Sequence, residues 1–89
     1  MMYALSISPT LDKKLGKLYK KDRKRYDILM GKADEIVENP HHYKPLGAPL
    51  HGWRRVHIDS NFVLTFSIDE KNKTVVLEDF DNHDKIYRN

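Results

Sequence analysis

The sequence predicts an α+β domain in which a two-helix hairpin packs on one face of a small, mainly antiparallel four-stranded sheet. In the first part of the chain, apolar residues such as Leu11, Leu15 and Leu18 recur at helical spacing. Beyond residue 52 the apolar period changes to two, as it does in strands. A chain of 89 residues is long enough for one domain with a small core, so we expect a single domain over residues 1–89.

A short first strand and two helices are predicted in the N-terminal half. Apolar and small polar residues alternate over residues 3–7, which indicates a strand. Ser8 and Pro9 supply an N-cap and a proline at the first helical position, so the first helix starts there. A basic connection over residues 20–25 is expected to lead into a second apolar stripe, which ends before Pro40. The two stripes predict a helix hairpin whose apolar faces form the core.

The three C-terminal strands are predicted to have one apolar and one polar face. Turns are expected over residues 59–61 and 69–73, and Val56 and Ile58 share an apolar face with alternate residues of the next two strands. If that face meets the helices, the opposite face carries Trp53, Arg55, His57, Thr65, Ser67 and Glu78. The strand pattern leaves open whether this uncovered face is solvated surface or one side of a site for an anion.

Composition narrows the class of protein. The mean hydropathy is −0.71, 33% of the residues are charged and no apolar run approaches the ~18 residues of a membrane-spanning helix, so we expect a cytoplasmic protein without a membrane partner. Cysteine is absent, which excludes disulfides and thiolate chemistry. Residues 1–57 carry 12 Lys/Arg against 6 Asp/Glu, a balance that fits nucleic acid, an acidic protein or simply solvated helix faces.

Two stretches, KPLGAPLHGWRRVHIDSNFVLTF and the C-terminal NHDKIY, contain the residue types that suit metal-independent RNA cleavage. Such cleavage requires a base for the ribose 2′-hydroxyl, cations for the phosphate and an acid for the leaving 5′-oxygen. His57 and His83 are candidates for the proton transfers, and Tyr87, one helical turn after His83, for proton donation or base stacking. Candidate phosphate-binding cations are Lys44, Arg54 and Arg55.

Other kinds of site have weaker support in the sequence. His41, His42 and His51 lie in one loop, but no acidic residue is spaced with them as a further metal ligand, so we predict no metal. A glycine-rich phosphate loop and a serine-centred nucleophile motif are both absent. We therefore expect no cofactor.

The order strand, helix, helix, three strands and terminal His and Tyr resembles the RelE/ParE superfamily of toxins from type II toxin–antitoxin systems. The likeness covers essentially the whole chain and is greatest to the YafQ-like branch, whose Pro-Leu, Gly, Tyr/Trp-Arg and His-Ile pattern and His-x-x-x-aromatic end are similar to the two stretches quoted above. The resemblance implies a RelE-like fold and an mRNA interferase. Such a ribosome-dependent endoribonuclease cuts mRNA in the A site, inhibits translation and is neutralised by its antitoxin.

The resemblance also implies roles for individual residues. His57 matches the family's strand histidine, and His83 matches its C-terminal histidine. The implied catalytic residues are His57, His83, Tyr87 and Arg54. Phe62 matches an aromatic near the family's site and is implied to bind RNA, whereas Lys44 and Arg55 are expected to bind it because of their charge. The clustered basic residues Lys20, Lys21, Arg23, Lys24 and Arg25 are likewise expected to contact RNA backbone.

Three positions depart from the pattern of the YafQ-like branch. Asn61 stands where the usual acidic residue precedes the aromatic, Lys44 replaces a loop histidine, and Tyr87 stands where that branch often has Phe. Asn61 removes one possible general base, so that role falls to His57, Glu78 or Asp81.

Two further functions remain open because a fold does not fix a function. One is a ParE-like topoisomerase (gyrase) poison that cleaves nothing, and the other is a catalytically degenerate module that only binds an antitoxin. The combination of His57, His83 and Tyr87 favours cleavage. The expected partners are an acidic cognate antitoxin, the ribosome and mRNA.

Overall fold

The computed structural model describes residues 2–46 and 52–87. Of residue 87 it describes only the backbone. The elements are β1 (Ala4–Ile7), α1 (Pro9–Lys21), α2 (Arg23–Glu38), a short 3-10 helix (Pro40–His42), β2 (Trp53–Ile58), β3 (Phe62–Asp69), β4 (Thr74–Asn82) and α3 (His83–Tyr87). The predicted α+β class and element order are confirmed. None of the described helices is long and apolar enough to cross a membrane.

The four strands form one sheet in the order β1-β4-β3-β2. β1 runs parallel to β4, and the other two pairs are antiparallel, so the prediction of a mainly antiparallel sheet is confirmed. The helix hairpin and one face of the sheet enclose the core. Its fully buried side chains include Leu11, Leu29, Ile36, Ile58, Leu64, Phe66, Val75 and Leu77.

A single residue, Asp22, links the two helices. Its N–H donates to the Leu18 carbonyl at the end of α1, and its carboxylate accepts from the N–H of Arg25 (3.1 Å) at the start of α2. The expected basic connection over residues 20–25 was therefore wrong. Because Asp22 caps both helices, the lysines before it and the arginines after it are helical.

β4 contains a bulge that changes which of its side chains reach the core. Thr65 pairs with Asp79 and Phe66 pairs with Leu77, so Glu78 is an extra residue opposite β3. Simple alternation from Leu77 would turn Phe80 away from the helices, but the bulge restores it to the core, where it is buried opposite Leu64. β4 then runs directly into α3 at His83.

Candidate active site

The structure brings His57 and His83 together. His57 lies near the end of β2, and His83 begins α3, immediately after the end of β4. The backbone N–H of His83 donates to the carbonyl of Asn61 (2.7 Å), which fixes the start of α3 against the β2–β3 turn. The two imidazole rings stack, with centroids 5.8 Å apart and planes 19° apart. Two groups suited to proton transfer near neutral pH are therefore neighbours.

The sheet face that carries His57 has the predicted alternation of side chains, but it is partly covered. Trp53, Arg55 and His57 pair with Ser67, Thr65 and Val63 respectively, so these residues share one face. That face was expected to be uncovered, but Val63 and Thr65 are fully buried. α3 contacts β3 and β4, and its Ile86 is buried, so the small helix accounts for part of the cover. A short helix at the end of a strand was too weak a sequence signal to predict this.

A cationic groove of about 350 Å³ lies along the outer edge of β2, next to His57. It is lined by His42, Tyr43, Lys44, Arg55, Val56 and His57. The N–H of Arg55 donates to the Lys44 carbonyl (3.1 Å), and the N–H of Leu46 donates to the Trp53 carbonyl (2.7 Å). Residues 44–46 thus run beside β2 and place Lys44 next to Arg55. No carboxylate is among the described lining residues, so the groove suits an anion.

Sequence reasoning missed His42 as a residue of this groove. It ends the 3-10 helix two positions before Lys44, and its ring meets that of Tyr43 edge-on at 5.2 Å. The only sequence signal was its closeness to Lys44, because the loop histidines were weighed as metal ligands. Within residues 2–46 and 52–87 no three side chains of metal-binding type converge, and His51 lies outside the described residues.

Two of the predicted site residues lie away from His57. Arg54 aligns with Phe66, on the face opposite to Arg55, and its Nη1 donates to the Tyr43 carbonyl (2.6 Å). Phe62 stacks with Phe80 at 5.3 Å and has the Arg25 guanidinium 4.2 Å from its ring centroid. Strand alternation therefore makes Arg55 the arginine on the histidine face, and gives Arg54 and Phe62 packing contacts.

The predicted arginines of the helix junction are already paired with carboxylates. Arg23 contacts Asp27 (3.2 Å) and lies over the Tyr19 ring. Arg25 contacts both Asp22 (2.9 Å) and Asp59 (3.1 Å). A cation held by a carboxylate attracts phosphate less strongly, so these two arginines are weaker candidates for RNA contacts than their sequence suggests.

The predicted lysines of the junction do not form one surface. Lys20 lines a groove of about 460 Å³ between the helices, and Lys24 is exposed. Lys21 lines a different groove of about 510 Å³, between α1 and α3. That second groove also has Lys17 and Lys85 on its walls. The basic residues thus divide between at least two sides of the molecule.

The three candidates for the general base differ in their surroundings. Asp81 contacts Lys14 at 2.8 Å; partial burial acts to raise the pKa of its carboxyl, but the hydrogen bonds from Lys14 and the Asn82 N–H, together with the charges of Lys14 and Lys85, outweigh burial and the pKa is lowered. Glu78 accepts a hydrogen bond from Ser67 Oγ (2.7 Å). Tyr87 follows His83 by one turn of α3, as predicted, and its side chain lies outside the described residues. His57 is the candidate that borders the cationic groove.

The chain is similar to toxins of type II toxin–antitoxin systems and to proteins of two archaea. The family model described as "ParE toxin of type II toxin-antitoxin system, parDE" matches residues 5–87. An uncharacterized protein of Methanosarcina mazei is 58% identical over 97% of this chain and all of its own length. The putative toxin RelE4 of Methanocaldococcus jannaschii is 54% identical over 98% of this chain and 93% of its own.

Solved structures agree on the fold. The toxin–antitoxin complex RelBE2 of Mycobacterium tuberculosis contains a chain with a TM-score of 0.78 and 21% identity, over 93% of this chain and all of that one. Fold, family model and close relatives together confirm the superfamily that the two sequence stretches indicated. The chain belongs to the ParE toxin family of type II toxin–antitoxin systems, within the RelE/ParE superfamily.

Proposed function

We propose that this toxin is an endoribonuclease that cuts mRNA on the ribosome and so inhibits translation. One observation carries the proposal: the stacked pair of His57 and His83 lies beside a groove lined by Lys44 and Arg55. Proton-transfer groups and phosphate-binding cations are the two components that RNA cleavage without a metal requires.

The proposed reaction is an internal attack by the ribose 2′-oxygen. His57, as the base, takes the 2′-hydroxyl proton while the 2′-oxygen bonds to phosphorus. The bond from phosphorus to the 5′-oxygen breaks, and His83, as the acid, gives that oxygen a proton. The products are a 2′,3′-cyclic phosphate and a 5′-hydroxyl end. His57 is assigned the base because Asn61 has no acidic group and Asp81 is bound by Lys14.

Lys44 and Arg55 have an electrostatic role in this proposal. Negative charge grows on the phosphate oxygens in the transition state, and fixed cations lower the energy of that state. The backbone hydrogen bond between the two residues holds Lys44 beside Arg55 of β2, so little rearrangement is needed when RNA binds. Arg54, held by the Tyr43 carbonyl on the other face, supports β2 instead of contacting substrate.

The proposed partners are the ribosome and an acidic antitoxin, and the proposed location is the cytoplasm, where translation occurs. The M. tuberculosis relative is described as part of a toxin–antitoxin complex, which supports an antitoxin for this chain. Lys17, Lys21 and Lys85 line one groove, in which the Asp81 carboxylate is already bound by Lys14, so these three are the helix-side cations best placed to contact ribosomal RNA backbone.

A second candidate function is a ParE-like topoisomerase poison without nuclease activity. The family model that matches residues 5–87 carries the ParE name, and this observation favours it. The stacked histidines favour cleavage instead, because a protein that only binds another protein has no use for a paired acid and base.

Mapping mRNA 5′ ends in cells that express the toxin tests the proposal. We expect new ends at a fixed position within codons, and none of them in cells that express the His57→Gln/His83→Gln double variant. DNA breaks without new mRNA ends would favour the topoisomerase poison. A protein that binds its antitoxin but produces neither effect would be a degenerate module.

A further inference from the structure

Lys14 closes an open edge of the sheet just before His83. β1 pairs with β4 only as far as Leu77, so within the described part of the chain residues 78–82 have no strand on that side. An unpaired strand edge leaves alternate N–H and C=O groups without backbone partners. Here the N–H groups of Phe80 and Asn82 donate to the carboxylates of Asp79 and Asp81, each at 2.8 Å.

The ammonium of Lys14 ties these groups together. Its Nζ lies 2.8 Å from Asp79 Oδ1, 2.8 Å from Asp81 Oδ2 and 3.3 Å from the Phe80 carbonyl. An ammonium has three donor hydrogens, so these contacts use its full capacity. Burial acts to lower the pKa of Lys14, but the two aspartates outweigh it and the pKa is raised. The charge that holds the edge is thus stabilised by the contacts it makes.

The same edge continues into the candidate active site. Asn82 ends β4, and its side-chain oxygen accepts from the N–H of Asp84 (2.8 Å) in the first turn of α3. His83 lies between these two residues and stacks on His57. A shift of the β4 edge therefore moves the His83 ring relative to His57. Misplacement of a reacting group by ~1 Å can cost ~10²-fold in rate.

We propose that Lys14 is a positioning residue for His83: it fixes the end of β4 through Asp79, Asp81 and the Phe80 carbonyl, and so sets the stacking of His83 on His57. The cleavage part of this inference rests on the proposed function, whereas the structural part does not. Lys14 itself touches no reacting atom.

The test replaces Lys14 by methionine, which keeps most of the side-chain volume and removes the donors. We expect a ~10-fold lower cleavage rate at saturating enzyme, with the KM for ribosome-bound mRNA within ~2-fold of wild type. Lys14→Arg, which retains charge and donors, should recover most of the rate. Lys13→Met, an exposed neighbour on the same helix, is the control and should leave the rate unchanged.

NMR on the full chain gives a readout that needs no cleavage. In Lys14→Met we expect faster hydrogen exchange at the amides of Phe80 and Asn82, and shifted ring-proton resonances of His57 and His83. If the wild type cleaves nothing but the resonances shift, the proposed function fails and the positioning role stands. Asp81→Asn, a milder change, should shift the same resonances if Lys14→Met does not fold. Wild-type resonances and rate in a folded Lys14→Met or Asp81→Asn would overturn the inference.

Discussion

The two ends of the sheet both gather histidines and charged side chains, but in opposite arrangements. At the β3–β4 turn, Glu70 accepts from Tyr3 Oη (2.9 Å) and Lys73 Nζ (3.0 Å) and contacts His41. These contacts, led by the one to Lys73, lower the pKa of Glu70 to about 2. The charges at the turn end are thus compensated within the fold, and they join three distant parts of the chain.

At the opposite end, two cations line one groove. Lys44 and Arg55 line the groove beside His57, and the described lining residues include no acidic side chain. Like charges that share a groove repel each other, and a bound anion would reduce that repulsion. A histidine is therefore informative only together with its neighbours: His41 contacts Glu70 within a charge-compensated cluster, whereas His83, whose Nδ1 lies 3.8 Å from Asp84 Oδ1, stacks on a second histidine.

Exchanging the histidine at each end for glutamine is expected to give the largest difference between the two ends of the sheet. His83→Gln should lower mRNA cleavage by ~10²–10⁴-fold, because it removes a proton-transfer group. The melting temperature and antitoxin affinity should stay near wild type, since His83 is an exposed side chain. Cleavage of a defined mRNA on purified ribosomes, a thermal melt and an antitoxin titration measure these three quantities.

His41→Gln is the matched control, because the His41 side chain is 51% exposed and that of His83 is 48% exposed. It should leave cleavage within ~3-fold of wild type while disturbing the turn end. Equal losses in the two variants would show that the two ends do not differ in function. Full toxicity of His83→Gln would remove His83 from the mechanism.

Charge removal in the groove is expected to have the next largest effect. Lys44→Gln and Arg55→Gln should each weaken RNA binding by ~10-fold and lower the slope of log affinity against log salt by ~0.7–1, because each cation releases a counterion when it meets a phosphate. Fluorescence titration of the cleavage-deficient His83→Gln background with single-stranded RNA at several salt concentrations measures the slope.

Lys71→Gln, at the exposed β3–β4 turn, removes the same charge from the other end of the sheet. We expect the salt slope of this control to match that of the background protein. If its slope falls as much as that of Arg55→Gln, net charge governs binding and the groove has no special role.

The smallest effect is expected at the turn end and concerns stability alone. Because the pKa of Glu70 is lowered in the folded state, its ionised form stabilises the fold above the unfolded value of 4.5, and this stabilisation is lost as pH falls to about 2. Glu70→Gln should therefore melt a few degrees below wild type near neutral pH, and the difference should vanish at the acid end. Thermal melts across this pH range measure it, with cleavage at neutral pH unchanged.

Glu38→Gln, an exposed carboxylate at the end of α2, serves as the control for pH. Its difference from wild type should not follow the same course. A melting difference for Glu70→Gln that persists at the lowest pH would mean that Glu70 acts by packing and not by charge.

The features of the site that depend on residues close together in the sequence were predictable, and most of those that depend on distant residues were not. Strand alternation separated Arg55 and His57 from Val56 and Ile58, and the register confirms that separation. The same alternation places Arg54 on the face away from His57. Arg54 was nevertheless predicted to be catalytic, because it matches the arginine of the family pattern. The bulge at Glu78 was not predictable, because an extra residue in a strand has no fixed sequence signature.

By itself the sequence determined the class of fold, the order of the elements, the helix start at Ser8 and the two hairpin turns. These depend on spacing and on backbone preferences that act over a few residues. The stacking of His83 on His57, the contacts of Lys14 at the β4 edge and the pairing of Arg25 with Asp59 depend on the tertiary structure. Most of these contacts join residues far apart in the chain, and their geometry follows from the packing of helices on the sheet, which no local pattern encodes.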